Sequence, residues 1–134
     1  MIMKTLIALL GMVLLTSAIS AQQPDCKKIH TGKFESTIEL ETEKVVIKIT
    51  RIKNKQIEEN IESGLKMEFM VKWTSTCTYE LSHPKVVSGT LEGVSDDQVI
   101  FVKVLEVKKD RYIAEVGSNF AEQKLTSEFL ILKK

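Results

Sequence analysis

The feature that most restricts this chain is a two-residue period in its hydrophobic residues. In LKMEFMVKW, residues 65–73, Leu65, Met67, Phe69, Val71 and Trp73 share one parity, while Lys66, Glu68 and Lys72 take the other. Successive side chains of a strand point to opposite faces, so this is a strand with one dry and one wet face. The period recurs in Phe34, Ile38 and Leu40 against Glu35 and Glu39, and in Val45, Ile47 and Ile49 against Lys44, Lys48 and Thr50. It continues in Cys77, Tyr79 and Leu81 after a break at Thr74-Ser75-Thr76. From Val99 to Val107 both parities are apolar: Val99, Phe101, Leu105 and Val107 on one, Ile100, Val102 and Val104 on the other. Such a run predicts a strand covered on both sides, or one wall of a tight barrel.

Two further short strands are expected, one over RYIAEVG and one over LTSEFLILKK at the end of the chain. Residues 55–62 stay ambiguous. Ile57 and Ile61 lie four apart, as in a helical turn, but the segment is short and sits between two firm strands, so a polar strand fits equally. His83-Pro84, Ser88-Gly89, Gly93, Ser95-Asp96-Asp97 and Lys108-Lys109-Asp110 punctuate the second half. The total is about seven or eight strands with no long helix. Sequential strands at this spacing predict an all-β antiparallel meander closed as a small barrel or half-barrel, with a β-sandwich as the alternative.

The chain opens MIMKTLIALLGMVLLTSAISAQQPDC, with Lys4 before an apolar run from Leu6 to Leu15 and small residues from Thr16 to Ala21. This order of charged, apolar and small regions predicts a secretory signal peptide over residues 1–21, cleaved near Ser20 or Ala21. The apolar run is shorter than the roughly 20 residues a bilayer requires, so no transmembrane span is expected. Cys26 makes a poor lipid acceptor, because Gln23-Pro24-Asp25 before it is neither small nor apolar. Residues 22–134 are then one exported domain, periplasmic or extracellular, and not a lipoprotein. Charge narrows its partners. The chain has 19 basic and 18 acidic residues, and loss of Lys4 leaves 18 against 18. A balance of zero offers no electrostatic footprint for nucleic acid or anionic membrane.

Cys26 and Cys77 are the only cysteines. In an oxidising compartment an even count implies a disulfide, here closing a loop of about 50 residues. A catalytic thiolate would need a base beside it, and only His30 and His83 could serve. A metal site would need three or four ligands at close spacing, which the sequence does not show. The pair is a staple, tying the polar segment 22–31, otherwise loose, to a central strand.

Thr31-Gly32-Lys33-Phe34 opening the first strand, and Trp73, Cys77, Tyr79 and Leu81 in the pattern W-x-x-x-C-x-Y-x-L, resemble a group of small exported bacterial proteins with a lipocalin-like fold. Ile49-Thr50-Arg51 followed by Gln56-Ile57-Glu58 is similar to their second hairpin. The resemblance covers most of residues 22–134 and implies a lipocalin-like barrel. It departs from true lipocalins, whose first strand carries a Gly-x-Trp signature where this chain has Gly32-Lys33-Phe34. Some members of the group carry a transferred topoisomerase name. The chain has no nucleotide loop, basic surface or tyrosine-nucleophile context to support that activity.

If the sheet closes, Phe69, Trp73, Tyr79, Phe101, Tyr112 and Phe129 are expected inside it, either as packed core or as the lining of one small pocket. His30 and His83 are expected in loops. Glu58, Glu59 and Glu62 form an acidic cluster in sequence that is expected to be a solvated edge. No catalytic residue, cofactor or metal site is assigned, and the chain is read as a non-enzyme. Its expected function is that of an exported lipocalin-like domain binding a small apolar ligand. The alternative is an envelope protein-interaction module or inhibitor, acting through an exposed loop, an edge strand or an apolar outer patch at Ile100, Val102 and Val104.

Overall fold

The computed structural model describes residues 24–39 and 41–132. The signal peptide assigned to residues 1–21, Leu40 and the terminal Lys133-Lys134 lie outside them. A 3-10 helix at Cys26–Ile29 precedes eight strands. These are β1 (Gly32–Glu39), β2 (Lys44–Ile52), β3 (Lys55–Asn60), β4 (Lys66–Ser75), β5 (Thr78–Ser88), β6 (Ile100–Val107), β7 (Arg111–Ser118) and β8 (Leu125–Ile131). Each pairs antiparallel with the next, and β1 pairs with β8, so the meander closes into a barrel. The ambiguous segment 55–62 contains strand β3. The hairpin partners on both sides draw it into the sheet, which a four-residue helical spacing cannot outweigh.

The barrel has two unlike ends. At one, the 3-10 helix, the β2–β3 and β4–β5 turns and the β6–β7 turn come together; at the other lie the longer β5–β6 and β7–β8 connections. The polar segment 22–31, expected to be tied down through Cys26, forms the 3-10 helix within its described residues, 24–31. Cys26 and Ile29 are fully buried, while Lys27 and Lys28 between them are exposed. Cys26 is bonded to Cys77 just before β5, with a Cα–Cα distance of 5.3 Å, within the usual disulfide span. The helix is thus fastened as a plug over one end of the barrel, called here the closed end.

Two seams of the barrel are zipped only near that end. β1 and β8 pair through three residue pairs, Phe34–Ile131 to Ser36–Phe129. β5 and β6 pair through four, Thr78–Lys103 to Leu81–Ile100. Beyond Leu81, β5 carries His83 at φ 52 and then Pro84, and its register against β4 slips there. This is a bulge: one extra residue bends the strand, and a proline without an N–H is tolerated where the ladder is interrupted. His83-Pro84 therefore bends a strand that runs on to Ser88, where the sequence suggested a break. A five-stranded and a three-stranded sheet are pinned together at the closed end and part at the open end.

Glycine matters at the first strand. Gly32 has φ 139, and a Cβ there would lie 3.3 Å from the Phe34 ring. The buried ring would have to shift by a few tenths of an ångström to admit a Cβ, and the backbone conformation at Gly32 is one that L side chains rarely adopt.

Candidate functional site

Strand pairing decides what enters the lumen, since residues directly opposite each other share a face. On β2 the inward parity runs Ile47, Ile49, Arg51. Opposite them on β3, Gln56 pairs with Arg51 and Glu58 with Ile49. Ile57 falls opposite Thr50, on the outward parity. β3 is therefore inverted, with polar residues inside and its isoleucine outside. The barrel receives an arginine, a glutamine and a glutamate from two adjacent strands.

Arg51 is the centre of the closed half, at 1% exposure. Its Nε donates to Gln56 Oε1 at 2.8 Å and its Nη1 to the Ile29 carbonyl of the plug at 2.6 Å. Its Nη2 donates to the hydroxyls of Tyr79 and Tyr112 at 2.9 and 3.0 Å. The guanidinium carbon also lies 4.5 Å from the Tyr79 ring centre and 4.7 Å from that of Phe34. A planar cation with five fixed N–H donors suits such a cage better than an ammonium would. Burial opposes the charge, while the oxygens of Tyr79 and Tyr112 and the carboxylate of Glu58 favour it, and the group remains a cation. The same burial pushes the Tyr79 hydroxyl well above its ordinary value, so it stays a phenol and a hydrogen-bond partner.

Gln56 passes this charge on. Because Arg51 has only donors, the oxygen of the Gln56 amide must face it, which turns Nε2 toward Glu58. Nε2 donates to Glu58 Oε1 at 3.0 Å. Burial pushes the Glu58 carboxyl above the usual range, and the Gln56 hydrogen bond and the Arg51 charge pull it back without cancelling the effect. Glu58 is half-buried and borders a cavity, so part of its surface can be reached from inside the barrel.

That cavity occupies the open half of the lumen and measures about 470 Å³. Ile47, Ile49, Leu81, Ile100, Val102 and Val116 supply most of its apolar wall, with Gln56 and Tyr79 toward the closed half. Thr37, Glu39, Thr126 and Glu128 also border it, which places an opening along the unpaired upper stretch of the β1–β8 seam. A separate depression of about 510 Å³ lies on the outer surface, bordered by Phe101, Lys103, Glu115 and Lys124.

The six aromatic residues expected inside divide among these places. Tyr79 and Phe129 border the cavity. Tyr112 is fully buried and stacks on Phe129, its ring centre 4.6 Å away. Trp73 sits at the closed end, stacked on His30 at 3.7 Å and 4.6 Å from Tyr79. Its Nε1 is buried without a hydrogen-bond partner among the described residues. Phe69 is buried and borders a smaller recess with Met67, Leu91 and Phe120, about 290 Å³. Phe101 is the exception. It is 43% exposed and stands on the outer face, because the Tyr79–Val102 pairing gives the lumen to the parity of Ile100, Val102 and Val104. An outer patch at those three residues is thereby ruled out; Phe101 and Leu105 hold the outer face instead.

The acidic cluster seen in sequence is dispersed. Glu58 faces inward, Glu59 pairs opposite the exposed Lys48, and Glu62 lies in the exposed β3–β4 turn. His30 closes the plug, its Nε2 bonded to the Thr76 carbonyl at 2.9 Å, and His83 sits in the β5 bulge. Among the described residues no three His, Cys, Asp or Glu side chains converge as a metal site would need, and no helix is long and apolar enough to cross a membrane.

Compared with known proteins, the chain matches no family model, no curated protein and no solved structure.

Proposed function

We propose that the protein is an exported, non-enzymatic barrel of lipocalin-like type that binds one small, largely apolar molecule in the open half of its lumen. The observation that carries this reading is the 470 Å³ cavity with its apolar wall and its opening beside β1. Small-molecule sites are concave, mostly apolar and about 300–1,000 Å³, with few polar groups, and this one fits that range. The closed half supports the role by being filled: the Arg51 cage and the plug seal one end and hold the sheets in register. The Cys26–Cys77 bond and the leader-like residues 1–21 support export.

Titration with N-phenyl-1-naphthylamine, a dye that brightens in apolar surroundings, tests the reading. One dye should bind per chain, and Val116→Trp, which fills the lumen, should abolish binding while leaving the far-ultraviolet circular dichroism unchanged. Absence of dye binding, or equal binding by the folded variant, would refute a ligand-holding lumen. The exposed Phe101 and Leu105 favour the second reading, an interaction module working through its outer face. A protein that co-purifies with the wild type and is lost from Phe101→Ser would support it.

A further inference from the structure

Among the described residues bordering the cavity, Glu58 is the acid on the inward parity, Glu39 and Glu128 lying on the outward one and paired with Lys44 and Arg111. Glu58 Oε1 takes the hydrogen bond from Gln56, and its Oε2 has no hydrogen-bond partner among the described residues. An ionised carboxylate has about four acceptor positions, so the group can take more than it is given. Its two nearest polar neighbours in the network, Gln56 and Arg51, are already committed. Gln56 is held by Arg51 at its oxygen end, and Arg51, which does not border the cavity itself, is spent on four acceptors. The lumen thus offers an incoming molecule a mostly apolar sleeve with a few hydroxyls and a fixed acceptor, while Arg51, the one buried cation among the described residues, does not border it.

Resting on the lumen-binding reading above, we infer that the site takes apolar molecules whose polar end donates a hydrogen bond, such as an alcohol, an amide or an amine. It discriminates against those ending in a carboxylate. A donor would complete the Glu58 acceptor positions in a low-dielectric setting, where charge-assisted hydrogen bonds are strong. A carboxylate would set a second anion against Glu58 with no accessible cation, and one of the two would have to take up a proton. Gln56 acts as a positioning residue: its amide, turned by Arg51, keeps Glu58 an acceptor aimed at the cavity.

The test uses the oxidised full-length mature chain and three ligands with the same ten-carbon tail: decan-1-ol, decylamine and decanoate. Each is titrated against bound N-phenyl-1-naphthylamine at one neutral pH. Decanol and decylamine should displace the dye at concentrations at least about tenfold lower than decanoate, the cost of one unpaired charged group. In Glu58→Gln, decylamine should weaken and decanoate strengthen until their gap falls below about threefold. Equal displacement by all three ligands, or a preference for decanoate, would overturn the inference on the wild-type chain alone, even if the variant did not fold. An unchanged ranking in a folded Glu58→Gln would overturn the role of Glu58. If dye binds but no ten-carbon ligand displaces it, the inference fails while the lumen reading stands; if the dye itself does not bind, both fail.

Discussion

Replacing Arg51 by methionine, a side chain of similar reach and no charge, should cost about 3–5 kcal/mol of stability, the usual loss when one member of a buried charged network is removed. The structure shows how that figure arises. Four donated hydrogen bonds disappear. Tyr79 and Tyr112 can still bond each other, their hydroxyls being 3.2 Å apart. The Ile29 carbonyl and Gln56 Oε1 lose their donors, at about 1–3 kcal/mol each. The guanidinium contacts with the Phe34 and Tyr79 rings add about 1–2 kcal/mol each when desolvated. Relief from desolvating the cation offsets part of the sum. For a domain with a total stability of about 5–15 kcal/mol the change is severe but measurable. Urea unfolding followed by circular dichroism gives the difference, and a loss below about 1 kcal/mol would show that the cage contributes little. The double variant with Glu58→Gln sharpens the test. If Gln56 links the two charges, removing both should cost less than the sum of the single changes by about 0.5–3 kcal/mol. Strict additivity would refute the link.

Two other outcomes follow from the same geometry. Replacing Cys26 and Cys77 by serine should cost about 4 kcal/mol on the chain-entropy account for a loop of this length, read from urea midpoints of oxidised protein and variant; a cost near zero would show that the plug holds without its bond. Stability should also fall as pH rises from about 4.5 through the raised value of Glu58, because in that window the folded chain keeps a proton that the unfolded chain has released. The stability difference between wild type and Glu58→Gln isolates this slope from other groups, such as the exposed Asp110, whose lowered value acts in the opposite sense; a difference independent of pH would contradict the raised value.

Much of the barrel was legible in the residues alone, because parity is a local property. LKMEFMVKW could only be a strand with Phe69, Val71 and Trp73 inward, and the even cysteine count implied the bond that closes one end. The inverted strand β3 was not legible in this way. Gln56 and Glu58 on the dry face break the usual rule, and only their pairing with Arg51 and Ile49 shows which face that is. One signal was available: Arg51 continues the apolar parity of Ile47 and Ile49, and a charge on that parity marks a buried ion in need of partners. Phe101 was misplaced because a run apolar on both faces carries no parity information.

By itself, then, the sequence determined an all-β chain of about seven or eight strands joined by short turns, from periods a few residues long, and the staple, from an even cysteine count. The tertiary structure decided that the closed half of the lumen is filled by a caged arginine and the open half is hollow. That outcome depends on which side chains from β2, β3, β5 and β7 meet across the barrel. Residues such as Ile29, Arg51, Tyr79 and Tyr112 are far apart in the chain, and no local pattern records that they meet.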